Sequence, residues 1–179
     1  MTKLFGITSL TAVSATLTDF EAVYQEYLPR LYNFFLYRFG DRALAEDLTA
    51  LTFEKAWKNR ARFRPELAAV STWLFTIARR AAIDVHRRGP GGDLSLEAAQ
   101  LVDEQTPEVV AERRSDLATL RALLARLPAR EREVIALKYG AGLDHQEIAR
   151  LTGLTESNVG VIVHRTVRLL RKEWENSDG

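Results

Sequence analysis

With 179 residues, 46% of them hydrophobic and 27% charged, the chain has the composition of a soluble globular protein with room for one large or two small domains. It lacks cysteine, which excludes disulfides and thiolate metal sites, and no apolar run approaches the roughly 18 residues of a membrane span, so no membrane insertion is expected. The net charge of +1 is unevenly spread: Thr18–Arg88 carries twelve Lys and Arg against nine acids, Arg113–Trp174 twelve against seven, and Gly89–Glu112 six acids and no base. Two mildly basic blocks flank an acidic strip.

Residues 1–17 are weakly apolar and Thr/Ser-rich, without a signal-peptide core, and read as an N-terminal extension. In the first block, residues 18–88, Phe20, Val23, Tyr24, Tyr27, Leu28, Leu31, Tyr32, Phe34 and Phe35 recur at helical steps. Thr18 or Asp19 can cap that helix and Gly40 ends it, while Pro29 predicts a kink or break inside it. A second helix spans about Asp41–Asn59, with Leu44, Leu48, Leu51 and Trp57 inward and Asp47, Glu54, Lys55 and Lys58 outward. A third runs over about Ser71–Arg88 and buries Trp73, Leu74, Ile77, Ala78, Ala81 and Val85. Its other face carries Arg80, Asp84 and Arg87, with Arg79 and Arg88 beside them. Arg60, Arg62 and Arg64 alternate with Ala61 and Phe63 just before it. Positive charge interleaved with aromatic rings is the chemistry that holds single-stranded nucleic acid, charge tracking phosphates and rings stacking on bases.

The strip at 89–112 begins Gly-Pro-Gly-Gly and reads as a linker, with Leu94 to Val102 able to form a short helix. Its acidity has two readings, solubility or mimicry of nucleic-acid charge in a basic channel of a partner. In the second block, residues 113–174, Leu117, Leu120, Leu123, Leu124 and Leu127 make one amphipathic helix stopped by Pro128, and Glu131–Tyr139 makes another.

Asp144 to Lys172 then has the pattern of a helix-turn-helix. Ala149 is small where two helices cross, Gly153 accepts the positive φ that ends the first helix, and Leu154, Val159 and Ile162 fill the wedge. Thr155 caps the second helix, with Asn158 where a full capping box would have Glu or Gln. Val159, Val163, Thr166 and Leu170 mark its core face; Ser157, Asn158, Val161, His164, Arg165 and Arg168 mark the other. Asn158 and Arg165 suit base edges, and Arg168 and Arg171 suit phosphates. Residues 175–179 form a C-terminal tail. The fold class is therefore all-α: two small helical domains joined by a linker, the C-terminal one containing a helix-turn-helix.

No catalytic constellation is visible. His86, His145 and His164 have no ligand spacing, no glycine-rich loop follows a strand, and neither a nucleophile triad nor a metal site can be assembled. No enzyme, metal or cofactor is expected. A free-standing helix-turn-helix regulator accounts for the second block alone, and a helical nucleic-acid enzyme lacks its chemistry.

The stretches Ala45–Phe63, Ser71–Arg88, Leu124–Tyr139 and His145–Arg171 together resemble the bacterial RNA polymerase sigma factors of the extracytoplasmic-function group, the minimal kind with only the second and fourth conserved regions. The resemblance implies cytoplasmic initiation of transcription with core RNA polymerase and promoter DNA, duplex and melted strand, as partners, and an anti-sigma factor as a further one. It implies polymerase docking through Asp47, Thr52, Phe53 and Trp57. Recognition and melting of the −10 element fall to Arg62, Phe63, Arg64, Ser71, Trp73, Arg79, Arg80, Asp84, Arg87 and Arg88. The −35 element falls to Thr155, Ser157, Asn158, Val161, His164, Arg165, Arg168 and Arg171. Many family members carry Lys or Arg where Gly160 and Ile162 stand here, so this recognition helix is less basic than the family's habit. The resemblance also implies that the linker threads toward the RNA exit path of the polymerase.

Overall fold

The structure, a computed structural model, describes residues 20–87 and 107–177, apart from the side chains of His86 and of 107–114. The expected caps at Thr18 and Asp19, residue Arg88, and the short helix at 94–102 lie outside the described residues. Among the described residues there are seven α-helices and no strand.

The first three are α1 (Phe20–Phe39), α2 (Arg42–Asn59) and α3 (Val70–Arg87). Helix α1 buries Val23, Tyr27, Leu31, Phe34 and Phe35 and runs through Pro29 as one element. No break occurs, because Pro29 and Gln25 both lie on the solvent side, where water can satisfy the carbonyl that loses its amide partner. Asp41 caps α2 by accepting from the Leu44 amide at 3.0 Å. The inward face of α2 is Ala45, Leu48, Thr49, Thr52, Phe53 and Ala56, so Trp57 is not inside as its spacing suggests. It is 49% exposed, with the Arg60 guanidinium 3.6 Å above its ring and Phe20 against its edge. Leu74, Phe75, Ala78, Ala81 and Ala82 of α3 complete this core, while Trp73, Ile77 and Val85 pack at its margin.

Helix α4 (Pro107–Arg126) starts earlier than the sequence suggests, taking in residues assigned to the linker. Proline at the start of a helix lacks only an amide that would have no partner there. Helix α5 (Ala129–Ile135) passes directly into a π-type turn, Ala136–Gly140, in which the Ala141 amide reaches the Ala136 carbonyl at 2.9 Å. Helices α6 (His145–Thr152) and α7 (Glu156–Ser177) follow.

The two helix groups are packed on one another and share a continuous core. Val134, Ala136, Leu137, Ala141, Leu143, Ile148 and Leu151 belong to the same buried cluster as Leu31, Phe34 and Phe75. At the closest approach Gly140 lies against α1; a Cβ there would stand 2.8 Å from the Asn33 carbonyl oxygen and 3.0 Å from the Phe34 Cα. Glycine is required at that point by the neighbouring backbone. Arg30 Nε donates to the Ala141 carbonyl at 2.7 Å, and Arg38 donates to the Ala129 carbonyl. Burial lowers the Arg38 pKa, with Arg132 and Arg79 pressing the same way and Glu133 opposing them.

Candidate nucleic-acid interface

The helix-turn-helix forms as its spacing predicts. Asp144 accepts from the Glu147 amide at 2.8 Å and Glu147 accepts from the Asp144 amide at 3.0 Å, a complete capping box. Its Asp-x-x-Glu signature is plain in the sequence at Asp144 and Glu147. Gly153 closes α6 at φ 74°, its amide on the Ala149 carbonyl. The Thr155 hydroxyl accepts from the Asn158 amide at 3.2 Å and opens α7. Ile148, Leu151, Val159 and Ile162 are buried between the two helices, and Leu154 is half-buried beside them.

The outer face of α7 is free to meet a ligand. Thr155, Ser157, Asn158, Val161, His164, Arg165, Arg168 and Arg171 are all exposed. The Arg165 guanidinium donates to Glu131 at 2.9 Å but stays mostly in solvent. Gly160 and Ile162, the two positions that make this helix less basic, are not surface positions of the same kind. Ile162 is in the wedge, and Gly160 is half-buried with the His145 ring 3.7 Å from where its Cβ would stand.

The −10 candidates divide. Arg62, Arg64, Arg80, Asp84 and Arg87 are exposed. Phe63 is only 6% exposed and is packed on Trp73, ring centroids 5.1 Å apart, so it supports the half-buried indole and is not itself a free platform for a base. Ser71 is buried and donates to Glu147 Oε1 at 2.7 Å. Arg79 is half-buried, with Nε 3.0 Å from Glu133 Oε1 and a further bond to the Leu151 carbonyl. That carbonyl lies in the last turn of α6, which has no intrahelical amide for it.

The polymerase-docking candidates divide in the same way. Asp47 and Trp57 are exposed. Thr52 and Phe53 are buried, Thr52 bonding the Leu48 carbonyl at 2.7 Å and Phe53 lying 4.5 Å from the Tyr24 ring. The sequence reading missed an open groove of about 440 Å³ beside them, lined by Tyr24, Leu28, Pro29, Tyr32, Glu46 and Phe53 among others. Its signal was the breadth of the α1 apolar face: Tyr24 and Leu28 carry the helical period yet remain exposed.

Two family descriptions match, Sigma-70 region 2 over residues 23–89 and Sigma-70 region 4 over residues 117–170. The chain is 30% identical over 162 residues to the ECF RNA polymerase sigma factor SigL of Mycobacterium tuberculosis, covering 89% of this chain and 91% of that protein. The chain belongs to the ECF RNA polymerase sigma factors. It is also 32% identical over 158 residues to BldN of Streptomyces coelicolor, and there it spans 59% of the relative's length. The fold is shared with the sigma factor RpoE in its complex with the anti-sigma factor NepR from Bartonella quintana. The TM-score is 0.69 at 23% identity, covering 88% of this chain and 98% of that one.

In this sigma factor the region 2 match ends just beyond α3 and the region 4 match begins within α4. The exposed arginines of α3 therefore belong to one region and the outer face of α7 to the other. No helix among the described residues is long and apolar enough to cross a membrane.

Proposed function

We propose that this chain acts in the cytoplasm as a binding subunit with no catalytic residue of its own, joining core RNA polymerase and directing it to promoters. The observation that supports this best is the outer face of α7 with its cap: seven polar or basic residues and Val161, from Thr155 to Arg171, all exposed at the second helix of a well-formed helix-turn-helix. Set in the major groove, Asn158 and Arg165 read base edges in the −35 element, and Arg168 and Arg171 hold phosphates.

Region 2 supplies the second reading end. Arg62 and Arg64 stand next to Phe63 of the Phe63–Trp73 pair in the chain, and Arg80 and Arg87 add exposed positive charge further along α3. A base leaving the stack in the −10 element costs a few kcal/mol, which stacking on the accessible part of Trp73 and contacts to the arginines offset without ATP. Asp47 and Trp57 contact the polymerase directly, and Thr52 and Phe53 shape the face from beneath. An anti-sigma factor is a further partner, as it is for RpoE in its complex with NepR.

Co-elution of the purified chain with core polymerase tests this reading. A stoichiometric complex is expected. A chain that binds promoter DNA alone and ignores core polymerase is a free-standing regulator.

A further inference from the structure

We propose that Glu131, on the helix before the helix-turn-helix, positions Arg165 for base readout: it holds one edge of the guanidinium and leaves the rest of the fork to a base. This rests on the function proposed above, in which Arg165 reads the −35 element. Arg165 Nη2 donates to Glu131 Oε1 at 2.9 Å, tying α7 to α5 across 34 positions of the chain. The two ends of the pair differ: the Glu131 side chain is 19% exposed and the Arg165 side chain 66%. Glu131 stands one helical turn before Val134 and Ile135, which are buried, so its carboxylate is mounted on a helix anchored in the core. The guanidinium that it holds lies on the outer face of α7. Arg168 and Arg171 are exposed on that face as well, and among the described residues neither has a carboxylate partner.

The contrast matters because bases and phosphates ask different things of an arginine. A phosphate contact needs positive charge near the strand. A base contact needs parallel N–H groups in the plane of the base pair, and a free arginine gives up much of its side-chain freedom to present them. Glu131 takes one N–H of the guanidinium and leaves the others. The fork is thereby oriented before DNA arrives, and less freedom is lost on contact. The same carboxylate cancels part of the Arg165 charge and repels phosphate, which disfavours attachment to the backbone of an arbitrary sequence. Arg168 and Arg171 keep their full charge for the strand. Stability is a poor alternative role, because an ion pair with one end in water contributes little to the fold. The helix dipole also favours an acid in the first turn of α5, but that role needs the charge and not the contact.

The experiment assembles core polymerase with the full-length chain and titrates promoter fragments substituted one base pair at a time through the upstream element. Wild type is compared with Arg165→Ala, Glu131→Ala, Glu131→Asp and Glu131→Gln, each checked for helix content by circular dichroism. Expected is a base pair at which wild type discriminates roughly tenfold and Arg165→Ala does not. At that pair Glu131→Ala should fall to about threefold or less, with tighter binding to the poorer sequences and a salt dependence steeper by about one phosphate contact. Glu131→Asp keeps the acid at the start of α5 but withdraws it by one methylene, and should lose discrimination in the same way. Glu131→Gln keeps an acceptor oxygen at the same reach and should retain it. If Glu131→Ala loses helix content, the other two Glu131 variants decide. The positioning role is overturned if Glu131→Asp discriminates like wild type, if Glu131→Gln does not, if a folded Glu131→Ala weakens every fragment alike, or if Arg165→Ala loses discrimination nowhere. A wild type that forms no complex with core polymerase fails the proposed function itself, and the positioning role with it.

Discussion

Arg79 donates from Nε to Glu133 Oε1 at 3.0 Å across the seam between the two helix groups, joining two residues 54 positions apart in the chain. Both side chains are largely withdrawn from water, 20% and 13% exposed, so removing one leaves the other charge partly buried and poorly compensated. Glu133→Ala should lower stability by about 1–3 kcal/mol, read as a lower urea midpoint by circular dichroism. Glu54→Ala is the control. The Lys58 hydrogen bond holds the Glu54 carboxyl below the usual carboxylate range, yet that pair stands in solvent, and its loss should leave the midpoint unchanged.

The proposed docking face should separate stability from binding. Phe53 is buried against Phe20 and Tyr24, so Phe53→Ala should cost about 3–5 kcal/mol of stability. Asp47→Ala and Trp57→Ala change exposed side chains. They should leave unfolding nearly unaltered and weaken the complex with core polymerase, measured by fluorescence anisotropy.

The capping box at the start of α6 predicts a cost confined to folding. Asp144 satisfies the Glu147 amide, and Asp144→Ala should lose about 1 kcal/mol. In a chain of this size that corresponds to a fall of about 2–4 °C in Tm, measured by calorimetry.

On α7, the proposed assignment of Asn158 to bases and Arg168 to phosphates predicts different behaviour for the two. Asn158→Ala should cost about 1–3 kcal/mol on the preferred upstream element and relax selectivity at one position. Arg168→Ala should weaken all sequences alike and reduce the salt dependence of binding by about one phosphate contact. Titrations of polymerase assembly on promoter variants at several salt concentrations distinguish the two.

The helix-turn-helix was legible because its constraints are local. Gly153, Thr155, Val159 and Ile162 are tied to one another within ten residues, by a positive φ, a cap and a wedge. Trp57 was misplaced because helical spacing marks an apolar residue without saying whether a neighbour covers it; Arg60 covers the indole face from above and leaves the rest in water. The seam was illegible for a related reason. Val134 and Leu137 keep the same period whether they face their own group or the other one, and the Arg30–Ala141 contact joins positions 111 apart. Phe63 and Ser71 were assigned to the site through the family resemblance, while their burial follows from the packing of Trp73 and of Glu147 against them.

The proposed function requires that this chain give core RNA polymerase a promoter preference. In vitro transcription from a set of promoter fragments, with core polymerase and with or without the purified chain, measures it most directly. Discrete transcripts should appear only with the chain, from templates sharing an upstream and a start-proximal element. Absence of chain-dependent initiation, with the protein folded and the core active, would contradict it.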